Sequence, residues 1–302
     1  LEGLDPMDLS FITHFLNALL MIGLPLVIGL WLMRRFHLGW RIFLIGAATF
    51  IISQIGHIPF NNWASQILVQ GVSTRISHAT LIYVINPIFV GLSAGLFEEL
   101  TRTAVYGWWA KDARSWRKGV LMGAGHEGGE AISLGLLALV AFFQMAALRD
   151  ADLSRMVQPN QLALVQQQVQ AYWSASIPLS LLGAVERLLT FPVQISLSVL
   201  VLQAFVRRQR FWVPLAILWH ALVDAVVVLL SALWAAQTWG YFAIEGVVLV
   251  FALLSLGIIF ALRRPEPEPE SPAPVIETPT PGLLPPANDT PDADKLDDSR
   301  YM

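Results

Sequence analysis

The sequence predicts an all-α, polytopic membrane protein. It reads as a helical bundle of about seven transmembrane helices, with the N-terminus outside and the C-terminus cytoplasmic. Three observations carry this expectation. Mean hydropathy is +0.59, with 55% hydrophobic and only 14% charged residues in a chain of 302, where a soluble domain carries about a quarter charged. Seven apolar segments are each long enough to cross, at ~20 residues per crossing. Lys and Arg gather in alternate loops, twelve on one side against three on the other, which orients the bundle by the positive-inside rule.

The segments fall near 9–33, 40–60, 79–110, 118–147, 176–206, 211–234 and 240–262. The first is preceded by LEGLDPMDLS, which has no Lys or Arg, so it reads as a retained span rather than a cleaved signal. Arg34, Arg35 and Arg41 follow it. Lys111, Arg114, Arg117 and Lys118 follow the third segment, Arg207, Arg208 and Arg210 the fifth, and Arg263 and Arg264 the seventh; the opposite loops hold Arg75, Arg149 and Arg155. The third, fourth and fifth segments exceed what a bilayer needs, which implies tilt or extension past the surface. Between the fourth and fifth, residues 150–175 are polar and glutamine-rich, with Leu162, Val165, Val169 and Tyr172 at helical spacing. That pattern fits an amphipathic helix on the membrane or a solvated connector helix. The expected membrane domain is therefore 1–262. Residues 263–302 are rich in proline and acid and read as a disordered cytoplasmic tail, whose binding partner, if any, the sequence does not specify.

Composition also removes function classes. With no cysteine there is no disulfide, thiolate zinc site or cysteine nucleophile. No basic run interleaves with aromatics, so no nucleic acid partner is expected. The bilayer itself is the expected surrounding, and the expected location is the cell (plasma) membrane, as a multi-pass protein.

Ionisable groups inside spans are functional candidates, because each costs a few kcal/mol or more unless paired. The third segment has 95-GLFEELTR-102, with Glu98, Glu99 and Arg102. The fourth has 125-GHEGGEAI-132, with His126, Glu127 and Glu130. The fifth has Glu186 and Arg187, and the sixth has 219-WHALVDA-225, with His220 and Asp224. Glu98/Arg102, His126/Glu130 and His220/Asp224 are each four residues apart, so each pair shares a helix face. Counted from the nearest basic loop at ~1.5 Å per residue, these groups share a slab roughly 12–21 Å deep. Three helices can thus aim them at one cavity, expected to open towards the cytoplasm. Glu186 lies nearer the other leaflet and joins only if the helix kinks, for which Pro192 is the candidate. Glu245, His14, His57 and His78 sit near predicted interfaces and read as structural.

Such a cluster supports two chemistries. A carboxylate beside imidazoles can activate water, with a His or Asp stabilising the oxyanion. Two imidazoles with one or two carboxylates also match the ligand types of a Zn2+ site. Arg102 neutralises Glu98 or Glu99 and leaves the other free to act.

FEELTR, GHEGGEAI, ERLLTFPVQISLSVLV and LWHALVDA, in that order, resemble the four signature blocks of the YhfC family of intramembrane (metallo)peptidases. More distantly, the first and last resemble blocks of the CPBP/Rce1-type membrane protease group. The resemblance covers about residues 80–230. It implies a multi-helix peptidase in which Glu98 activates water, Glu99 and Arg102 set the charge balance, and His126 with Glu130 and His220 with Asp224 orient the water or bind a metal. Glu186 matches the acid of the third block. Gln194 stands where the family pattern has a histidine, and Glu127 fills a place expected to be small and apolar.

The leading expectation is therefore an intramembrane protease acting on a membrane-anchored protein or peptide near the cytoplasmic leaflet, with a Zn2+ site at His126, Glu130, His220 and Asp224 as its metal-dependent form. The alternatives are a proton-coupled transporter using the same groups as a relay, and a non-catalytic membrane scaffold. The transporter needs polar residues to continue across the bundle; the outer halves of segments four (ISLGLLALVAF) and six (VVVLLSALWA) are apolar.

Overall fold

A computed structural model of the chain describes residues 6–68, 76–234, 236–237 and 239–263. The expected tail, beyond Arg263, lies outside the described residues. The helices run α1 Pro6–Phe36, α2 Trp40–Ile67, α3 His78–Thr80, α4 Asn86–Trp108, α5 Trp116–Arg149, α6 Pro159–Trp173, α7 Ile177–Ser180, α8 Leu182–Val206, α9 Trp212–Trp234 and α10 Gly240–Ala261. A π-helical turn, Leu81–Ile85, joins α3 to α4 just before Pro87. Proline has no N–H to bond the preceding turn, which suits a locally widened helix there. Seven helices are long and apolar enough to cross a membrane: α1, α2, α3–α4 as one unit, α5, α8, α9 and α10.

α8 and the first part of α5, from Gly119 to Gly129, sit inside the bundle. α5 packs on α1, α2 and α8; α8 packs on α5, α9 and α10; α4 lies against α2 and α9. In hydrocarbon there is no hydrophobic drive between helices, so close approach of small residues does the work. At the α2–α5 crossing, a Cβ on Gly46 would overlap the Met122 carbonyl, and one on Gly125 would overlap that of Phe43. The glycines of GHEGGEAI are thus contact points between helices. Gly125→Leu is expected to stop α2 closing on α5 and to abolish the monodisperse peak in detergent gel filtration. Gly23→Leu, where an added Cβ meets nothing within 4 Å, should leave that peak intact.

Within 150–175, α6 forms a helix packed on the bundle. Val169 and Trp173 of α6 are buried with Phe142 of α5, and Leu162, Val165 and Tyr172 pack on the same cluster. Trp173 Nε1 donates to Met145 O (3.2 Å), and His14 Nε2 lies 2.9 Å from Tyr172 O. This face of α6 packs on protein.

The basic loops meet at one end. Arg41 and Lys118 both reach Asp112, at 2.9 and 3.4 Å, and the Arg41 guanidinium holds the Asp112 carboxyl below its ordinary pKa.

Candidate active site

The three predicted blocks converge. Glu98 and Glu99 on α4 point to different partners because successive helical residues are ~100° apart. Glu99 Oε2 and Oε1 accept from Arg102 Nη1 at 2.8 and 2.9 Å, and both side chains are fully buried. His220 Nδ1 lies 2.9 Å from the same Oε1; an ionised carboxylate only accepts, so this nitrogen carries the hydrogen. Arg102 is therefore spent on Glu99. Glu98 is left with Oε2 3.0 Å from His126 Nε2 and 3.9 Å from His220 Nε2, and with Oε1 accepting from Gln54 Nε2 at 3.2 Å.

The tautomer of His126 follows from Thr49. Thr49 Oγ1 donates its one hydrogen to Gly46 O (2.6 Å), so its oxygen accepts from His126 Nδ1, also at 2.6 Å. Both imidazoles therefore have Nδ1 engaged, and both Nε2 atoms face Glu98 Oε2. Nitrogen lone pairs aimed at a carboxylate oxygen require a shared proton or a cation. Gly91 and Gly95 bring α9 close enough for this: a Cβ on Gly95 would stand 2.7 Å from Ile217 O and 3.5 Å from the His220 Cβ.

Asp224 Oδ2 is 3.6 Å from His220 Nε2. Glu130 is held from α8, its Oε1 by Arg187 (2.7 Å) and its Oε2 by Gln194 Nε2 (3.2 Å). Gln194 Oε1 in turn accepts from Arg102 Nη2 at 2.7 Å. The residue that departs from the family histidine is thus a neutral bridge between the two carboxylate clusters. Sequence reasoning gave Arg187 and Glu127 no role. Arg187 lies against Glu130, Glu186 (2.5 Å) and Glu127 (3.6 Å), while Glu127 accepts from Thr190 at 2.7 Å. Glu186 reaches the network through its neighbour Arg187 and lines the cavity, while remaining half-exposed.

A cavity of about 160 Å3 holds Glu98, Glu130, Arg187, Gln194, His220 and Asp224 in its wall. It does not run towards the basic-loop end, where the opening was expected. On each of α4, α5, α8 and α9, the residues one or two turns to the basic-loop side of the cluster are buried core: Val105 and Tyr106, Leu121 and Met122, Leu197 to Leu202, and Ala216. The lining instead continues through Val90, Val227, Val228 and Val248, away from the basic loops. Hydropathy counts gave depth but not which side of the cluster was packed.

As a possible cation site, Glu98, His126 and Glu130 each offer one ligand atom within 4.8 Å of the others. The donors are of the right type, and the Thr49 and Glu99 contacts behind the two imidazoles are of the kind that orient metal-ligating histidines. This group shares His126 and Glu130 with the expected ligand set and adds Glu98, while His220 and Asp224 line the adjoining cavity. Among the described residues this is the one such group.

Fold and site together define a multi-pass helical membrane protein with a buried Glu–His–Arg cluster in its interior. The chain belongs to the YhfC intramembrane metalloprotease family, whose profile matches residues 19–248. It is 30% identical over 216 residues to a Bacillus subtilis (strain 168) protein named "Uncharacterized membrane protein YhfC", covering 68% of this chain and 79% of the relative. No solved structure matches.

Proposed function

We propose that the chain is an intramembrane peptidase that hydrolyses a peptide bond of a membrane-associated protein or peptide at the depth of Glu98, with the basic-loop end facing the cytoplasm. The observation that supports this most is the division of labour between adjacent glutamates: Arg102 neutralises Glu99, while Glu98 faces two imidazoles. In this reading Glu98 takes a proton from water as the oxygen attacks the carbonyl carbon, then passes it to the leaving amine as the C–N bond breaks. Gln54 fixes one Glu98 oxygen, so the other is aimed. With the shared proton on its Nε2, His220 is an imidazolium backed by Glu99 and Asp224 and donates from Nε2 to the oxyanion. His126, locked by Thr49, holds the water side. Arg187 and Gln194 keep Glu130 turned inward.

Glu98, His126 and Glu130 would hold a divalent ion such as Zn2+, which when bound supplies Lewis acidity to water and to the peptide carbonyl. Elemental analysis of the purified protein is expected to find one such ion per chain in the wild type. His126→Ala should lower that stoichiometry at least about tenfold. Equal metal content in both, or full cleavage of a membrane-peptide library after stringent chelation, would remove the metal-dependent form and leave a glutamate-based hydrolase. The relay alternative needs a polar route on both sides of the cluster, and the basic-loop side is packed core.

A further inference from the structure

Helix α2 carries a polar stripe that begins at the cluster, with Thr49 against His126, and continues beyond it. Thr49, Ser53, His57 and Asn61 recur every four residues, so they wind along one face. That face is turned inward: Thr49, Ser53 and His57 are buried, while Ile52, Ile55 and Ile58 between them are exposed to the surroundings of the bundle. His57, expected at an interface, is buried against Phe97 of α4.

Each rung has a polar neighbour. Thr49 meets His126, and Gln54 Nε2 reaches both Ser53 Oγ (3.3 Å) and Glu98 Oε1 (3.2 Å). His57 Nε2 is 3.2 Å from Ser93 Oγ and 2.9 Å from Asn61 Nδ2. Asn61 Oδ1 is buried and has no hydrogen-bond partner among the described residues. The stripe ends at Asn62, which is exposed. Polar groups along a span cost free energy that apolar packing would avoid. A hydrolytic site has a use for them, since each cleavage consumes a water. The cluster is sealed towards the basic loops. Away from them the cavity runs past Val90, Val227, Val228 and Val248 on its α4, α9 and α10 sides, with half-exposed Glu186 on its α8 side, so α2 offers a separate polar approach to Glu98.

We propose that this stripe is a hydration path, carrying water from the Asn61 end of α2 past His57 and Ser53 to Glu98. Its purpose rests on the peptidase reading, but its existence is tested without any cleavage. X-ray radiolysis makes hydroxyl radicals from water in place, so side chains beside water are oxidised. The chain has no cysteine, so Ser53→Cys and Ser196→Cys place one reactive thiol at two serines of matching burial, 1% and 0% exposed. The thiol at position 53 should oxidise at least about tenfold faster than that at 196, because only the first would stand beside water. Adding Asn61→Leu should slow the reaction at 53 several-fold and leave 196 unchanged. Equal rates at 53 and 196, or a rate at 53 indifferent to Asn61→Leu, would overturn the path. Should the thiol variants not fold, unmodified protein decides: His57 oxidising no faster than buried Phe142 overturns it as well. Fast labelling in a chain that cleaves nothing would leave the path standing and remove the peptidase reading instead.

Discussion

Glu98→Gln is expected to lower kcat for peptide cleavage by about 10²–10⁴-fold, the usual contribution of a positioned general base. The substitution keeps size and keeps an acceptor for Gln54, so the fold should survive. What it removes is the ability to take a proton at Oε2, the atom 3.0 Å from His126. If the water is activated elsewhere, kcat will hold. KM should change little, because in the proposed reading the apolar lining of the cavity would grip the substrate. The same assay on Asp224→Asn should show a smaller loss, because His220 keeps its bond to Glu99 without it.

Arg102→Ala should destabilise the protein by about 3–5 kcal/mol, the range for removing one partner of a buried pair. Glu99 and Arg102 are both fully buried, so Glu99 would be left as an uncompensated carboxylate with only His220 beside it. Gln194 would also lose the guanidinium it accepts from and, with it, the orientation that directs its amide at Glu130. Thermal unfolding in detergent measures this directly. The double variant Glu99→Gln, Arg102→Met should recover much of the loss, since neither unpaired charge then remains. Failure of the double variant to recover would mean that the pair acts through its wider network rather than through charge balance.

The spans and the cluster were legible in the sequence for a physical reason. Apolar runs long enough to cross are read by simple addition, and ionisable residues at four-residue spacing inside them have few places to go but inward. The pairing of Arg102 with Glu99 rather than Glu98 was not legible, since both lie within reach on one helix and the choice depends on His220 arriving from α9. The roles of Gln194 and Arg187 were hidden because bridging is a property of two helices at once. The α2 stripe did leave a signal: 49-TFIISQIGHIPFNN-62 repeats a polar residue every fourth position. Hydropathy averaging over the segment conceals it. The packing role of the glycines in GHEGGEAI was hidden for a related reason, because only the facing carbonyls of Phe43 and Ala47 show why no side chain fits there.

The most direct measurement is cleavage of a membrane-embedded peptide library in H2 18O, comparing wild type with Glu98→Gln. Hydrolysis at this site should place one heavy oxygen in the new C-terminal carboxylate of the wild-type products and yield almost none with Glu98→Gln. Labelled products formed equally by both proteins would contradict the assignment of Glu98, and no labelled product from a well-folded wild type would contradict the hydrolytic site itself.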